Sequence, residues 1–226
     1  MWAEIAVVGV KLGFVLAVML TTVPIMVWVE RRGSALIQDR LGPNRVGPFG
    51  LLQPVIDVVK LLTKENLRPA GVQTFLYVLA PAIAIAISLS TFIAVPFARD
   101  SGLTVFGHPV DGFIVAPDLN IGLLYIFAIA SLGVYSLVLA GWASNNKYSL
   151  YGGIRASAQA ISYELAMTIA VVGVLMSAGS LHLQQIVDAQ TGTWLGWLPN
   201  WNVFPQILGA ITFTVAVFAE TNRLPF

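Results

Sequence analysis

The chain has 226 residues, of which 57% are apolar and only 10% charged, with a formal net charge of +1. Soluble domains of this size show amphipathic stripes, whereas this chain is built from apolar runs that reach the roughly 20 residues needed to cross a bilayer. It has no Cys, so it can hold no iron–sulfur cluster through thiolates and form no disulfide.

In chain order, the first span is expected over 5–29, with Lys11 near its outer end, where snorkelling accounts for the charge. This run is about twice as long as a signal-peptide core, lacks a basic leader and ends in Glu30-Arg31-Arg32, so it reads as a permanent helix. The loop 30–74 follows and holds seven of the twelve basic residues: Arg31, Arg32, Arg40, Arg45, Lys60, Lys64 and Arg68. Within it, Leu41 to Pro48 carries two Pro and two Gly, which set a shaped turn. Over 50–65, Leu51, Leu52, Val55, Ile56, Val59 and Leu62 recur at helical spacing opposite a stripe of Gln53, Asp57, Lys60 and Lys64. That pattern predicts an amphipathic helix lying along the membrane interface, with Asp57 and Lys60 in reach of one another across one turn.

Further spans are expected at 75–97, which has no charge at all, then at 120–142, at 159–180 and, shorter, at 204–220. Gly152-Gly153 reads as a turn in the loop before the fourth span. The whole is a single all-α, polytopic transmembrane helix bundle with one interfacial helix. Allotting the loops to alternating sides puts ten basic residues on one face and Arg99 alone on the other, so the 30–74 loop faces the cytoplasm and the N-terminus lies outside.

The two histidines, His108 and His182, fall in external loops with no partner at ligand spacing, and no metal is expected. A dinucleotide-type glycine turn and a Walker lysine are both absent, as is an internal repeat of the kind that inverted-repeat transporters show. Nothing points to nucleic acid. The informative charges are those at membrane depth, where a carboxylate costs ~2.5–3.5 kcal/mol to insert unless it meets a polar path or a partner. Glu164 stands inside the fourth span, while Glu30 and Glu220 close the first and fifth on the same side.

Gly50-Leu51-Leu52-Gln53-Pro54-Val55-Ile56-Asp57-Val58-Val59-Lys60 resembles the signature of the H subunit family of NADH-quinone oxidoreductase, the respiratory complex I membrane component at the quinone chamber. Val29-Glu30-Arg31, Arg40 to Asn44, Gly153 to Arg155 with Ser162-Tyr163-Glu164, and Ala219 to Phe226 match the same family in the same order. The resemblance implies an eight-helix protein, of which this chain carries about five helices. It assigns Arg31, Arg40, Asp57 and Lys60 to the quinone chamber, and Glu30, Arg155, Glu164, Glu220 and Arg223 to a charged path that couples quinone reduction to proton pumping. It further implies that the chain binds no cofactor and holds no complete active site alone. Quinone is the substrate, either ubiquinone or menaquinone. FMN and the iron–sulfur clusters sit on partners, which include soluble quinone-site subunits and small membrane subunits set among lipid. The location implied is the bacterial inner membrane, or the mitochondrial inner membrane in an organelle. Alternatives are the related membrane anchor of an ion-pumping nickel–iron hydrogenase and a free-standing secondary transporter.

Overall fold

A computed structural model describes residues 2–65, 67–97, 100–105, 107–111, 115, 119–194 and 196–221. Its elements are α1 (Trp2–Ile37), α2 (Gln53–Thr63), α3 (Thr74–Thr91), β1 (Asp100–Val105), β2 (His108–Asp111), α4 (Gly122–Ser131), α5 (Gly133–Ala143), α6 (Lys147–Ala178), α7 (Leu183–Ala189), β3 (Thr193–Trp194), β4 (Leu198–Pro199) and α8 (Ile207–Glu220). Strands occur among the described residues as two small two-stranded sheets, β1 with β2 and β3 with β4. Four stretches among the described residues are long and apolar enough to cross a membrane: Trp2–Ile37, Thr74–Ala94, Gly122–Ala143 and Lys147–Ala178; Ile207–Glu220 is a shorter apolar helix. This is an all-α polytopic membrane protein.

The buried residues show which solvent the fold is made for. The apolar ones among them are mostly alanines, Ala35, Ala80, Ala94, Ala143, Ala216 and Ala219, while large apolar side chains such as Leu20, Ile85, Leu165 and Phe218 stay exposed. In lipid, helices gain nothing by hiding leucine from the surroundings, so they associate through small residues that let backbones approach.

The chain divides into two compact units. The first comprises residues 1–68 and 102–113, with α1, α2 and β2; the second comprises 69–101 and 114–226, with the remaining helices. In the first, β2 packs on α1, and Lys11 is buried at 7% exposure rather than snorkelling freely. The β2 strand, invisible to hydropathy, supplies cover on this helix that apolar run lengths do not reveal.

In the second unit α6 is the central helix, packing against α5 and α8. It begins at Lys147, well before the expected 159, because Asn146 caps it by accepting a hydrogen bond from the Tyr148 N–H at 2.9 Å. It ends at Gly179, whose φ of 64° is the left-handed C-cap. Gly152 and Gly153 therefore lie inside a helix and form no turn. Gly153 serves close approach: a Cβ there would stand 2.9 Å from the Leu137 carbonyl oxygen, and one on Gly141 would stand 2.9 Å from that of Ser149. The α6–α8 crossing uses the same device, since a Cβ on Gly209 would meet the Ala170 carbonyl oxygen at 3.1 Å. There the Gln206 side-chain amide donates to the Gly173 carbonyl at 2.7 Å, an interhelical bond of the kind that holds membrane helices in register.

Candidate functional site

The first cluster forms where α1 outruns its apolar stretch. Trp28, Arg31 and Arg32 ride on its last turns, and four residues with positive φ then fold the chain back: Asp39 (49°) just past the helix, then Gly47 (71°), Phe49 (53°) and Gly50 (76°). Gly50 is required as glycine, because a Cβ there would overlap the Pro43 carbonyl. Phe49 has no such freedom, and a bulky residue in the left-handed region costs ~1–3 kcal/mol.

What compensates is a set of contacts on that one peptide. The Phe49 carbonyl accepts hydrogen bonds from the Trp28 indole N–H and from the Arg32 guanidinium, each at 3.0 Å. The same guanidinium lies 5.5 Å from the centre of the Trp28 ring and 5.6 Å from that of Phe49. Two hydrogen bonds at ~0.5–1.5 kcal/mol each, with two cation–π contacts at ~0.5–1 kcal/mol each, offset the backbone penalty.

The folded-back loop delivers α2 to α1. Asp57 pairs with the Arg31 guanidinium and accepts a second hydrogen bond from Gln53, one turn earlier, at 3.0 Å. The Arg31 hydrogen bond, then that of Gln53, and the positive charges of Arg31 and Lys60 hold the Asp57 carboxyl below the usual carboxylate range. The expected Asp57–Lys60 pairing within α2 gives way to this longer-range pair. The pair uses one contact, Arg31 Nη1 to Asp57 Oδ2, and leaves Oδ1 to accept from Gln53. Arg40 sits apart, with its Nε donating to Gln38 Oε1 at 2.6 Å.

The second cluster lies in the other unit. Glu164 stands midway along α6 and Glu220 at the end of α8, and the packing of these helices brings the two carboxyls close enough to interact electrostatically. Glu164 Oε1 is shielded from solvent and has no hydrogen-bond partner among the described residues. Arg155 is exposed on α6. No ion pair joins it to Glu164 among the described residues. Glu30 is exposed on α1, and Arg223 lies outside the described residues. Among those described, no group of three or more His, Asp or Glu could hold a metal.

Sequence reasoning singles out Arg31 and Asp57 but misses that they face each other, and it passes over Trp28, Arg32 and Phe49. A signal is there: Trp28 and Arg32 are four apart, hence on one helix face. Phe49 sits between Gly47 and Gly50, where only a sharp turn needs glycine twice.

Apolar helices long enough to cross a membrane, associated through small residues, define a polytopic helical membrane protein. The chain belongs to the NADH dehydrogenase family, whose model matches residues 10–226. It is 46% identical over 239 residues to the H subunit of the NADH-quinone oxidoreductase of Bdellovibrio bacteriovorus, covering 99% of this chain and 62% of that protein. To the corresponding H subunit of Solibacter usitatus it is 48% identical over 217 residues, covering 96% of this chain and 54% of the relative. To NADH-quinone oxidoreductase subunit 8 of Rhodothermus marinus it is 50% identical over 208 residues, covering 92% and 57%. The chain thus spans somewhat over half the length of these relatives. Their names do not favour the hydrogenase-anchor alternative.

Proposed function

We propose that this chain is a membrane subunit of a proton-translocating NADH:quinone oxidoreductase. It forms part of the quinone chamber through Arg31, Arg40, Asp57 and Lys60, and part of a charged path through Glu30, Arg155, Glu164, Glu220 and Arg223. It lies in the bacterial inner membrane with its N-terminus outside, among soluble partners that carry FMN and iron–sulfur clusters. The names of its relatives support the reaction and the complex.

One observation carries the coupling role: Glu164 and Glu220 are neighbours on packed apolar helices, and one oxygen of Glu164 is buried without a hydrogen bond among the described residues. A carboxyl so placed, unscreened by water on one oxygen and beside a second carboxyl, responds to any charge that appears nearby. Reducing a quinone takes up two protons and passes through charged states in a poorly screened chamber, which supplies such a charge. The test is to compare assembled-complex yield, quinone-dependent NADH oxidation and proton uptake in membrane vesicles for Glu164→Gln. Normal assembly with impaired coupled turnover is the expected result. Normal pumping would overturn the coupling role.

A further inference from the structure

We propose that Trp28 and Arg32 are positioning residues: by gripping the Phe49 carbonyl they fix the turn that delivers Asp57 to Arg31. This rests on the quinone-chamber reading of that pair. Arg31 and Arg32 are consecutive on α1 but take different partners. Arg31 binds a side chain of α2, whereas Arg32 binds the backbone of the loop that leads into it. The grip is anchored twice on one helix, since Trp28 lies one turn back and donates to the same oxygen.

The path from the clamped carbonyl to Asp57 is short and closed by hydrogen bonds. Gly50 N–H donates to the Gly47 carbonyl at 3.2 Å, Leu51 N–H to that of Pro48 at 3.1 Å, and Leu52 N–H to that of Val46 at 3.3 Å. Ile56 N–H then donates to the Leu52 carbonyl at 3.1 Å as α2 starts. Gly47 completes the fold, because a Cβ there would stand 2.8 Å from Leu52 Cγ. No side chain caps the N-terminus of α2. Its start is set by this turn, and the turn contains a residue, Phe49, that would leave the left-handed region if its carbonyl were released. Losing the grip therefore lets the turn relax and moves α2 relative to the guanidinium it must meet.

The test uses the whole membrane complex containing this chain, with Arg32→Met, Arg32→Lys, Trp28→Phe and Phe49→Gly. Two properties are read: amide hydrogen exchange over residues 43–60, and the split between KM for quinone and kcat. Arg32→Met should speed exchange of the turn and of the first turn of α2 by about tenfold, as local opening becomes easier. It should raise KM severalfold with kcat little changed. Trp28→Phe keeps a ring but loses the N–H, so it should give part of both effects, and Arg32→Lys should rescue part of each. Phe49→Gly keeps the carbonyl and accepts the positive φ, so its exchange should stay nearer wild type than that of Arg32→Met. In an Asp57→Asn background Arg32→Met should add nothing to KM, because the pair it serves is already gone.

Unchanged exchange in Arg32→Met would overturn the proposal. So would KM effects of Arg32→Met and Asp57→Asn that simply add. If Asp57→Asn alone leaves quinone kinetics at wild type, the quinone-chamber reading fails. The exchange data then still decide whether the clamp sets α2.

Discussion

Asp57 is the residue whose behaviour follows most directly from its surroundings. Its carboxyl is held below the usual range, chiefly by the Arg31 hydrogen bond. Because the folded value lies under the unfolded one, near ~3.9, the stabilisation is fully present above that value and fades only as the pH falls through the folded one. Across neutral and mildly acidic pH the pair is constant. Asp57→Asn should therefore lower quinone reduction by about tenfold to a hundredfold, the range that misplacing a positioned group costs, without changing the shape of the pH profile in that window. Assembly should hold, since α2 keeps its apolar face and an exposed ion pair contributes little. Glu164 offers the complementary case. Glu164→Asp retains a titratable group with a shorter reach and should recover part of the proton uptake that Glu164→Gln loses, measured in the same vesicles. Both residues are legible in the sequence, Asp57 from its place on a helical stripe and Glu164 from its place in an apolar run. Their partners are not, because Arg31 and Glu220 reach them only through tertiary packing.

Among elements, α6 departs most from its hydropathy. The polar start from Lys147 to Ala158 reads as a loop, yet the Asn146 cap and the Gly179 terminator both stand in the sequence and bound the helix correctly. Capping signals outrank hydropathy here because a helix long enough to leave the lipid needs no apolar residues beyond it. The paired glycines mislead for a related reason: a helix–helix crossing and a loop both favour glycine, and only the neighbour tells them apart. Gly153→Ala would push a methyl group against the Leu137 carbonyl, a backbone atom that cannot swing aside, and should cost ~1–3 kcal/mol of stability. Gly152→Ala meets nothing within 4 Å and should gain ~0.5–1 kcal/mol from helix propensity. Thermal unfolding of the complex in mild detergent distinguishes the two, with Tm moving in opposite directions.

For the whole molecule, the all-α membrane class and the apolar helices are readable from composition and run length, whereas the two small sheets are not. The strands β3 and β4, two residues each, are too short to show a period of two. Sidedness rests on charge counting, and the lack of any native Cys makes it directly measurable. Single cysteines at Gly33 and Arg68 should react with an impermeant thiol reagent only from the cytoplasmic face, and one at Thr193 only from outside. Labelling of Gly33→Cys from outside alone would invert every loop assignment.

The length of α1 has a mechanical consequence. Its 36 residues, at ~1.5 Å each, make a rod of about 54 Å, against a hydrocarbon thickness of ~30 Å. Such a rod must lean or project, and here Arg31 and Arg32 ride near the projecting tip. Lipid of longer or shorter chain changes the lean, with Pro24 as a flexing point along the shaft. Since the loop and α2 are fastened to that same tip, they swing with it as one piece. Bilayer thickness is thereby converted into a displacement of Asp57 and the turn before it, with the shaft of α1 as the lever arm.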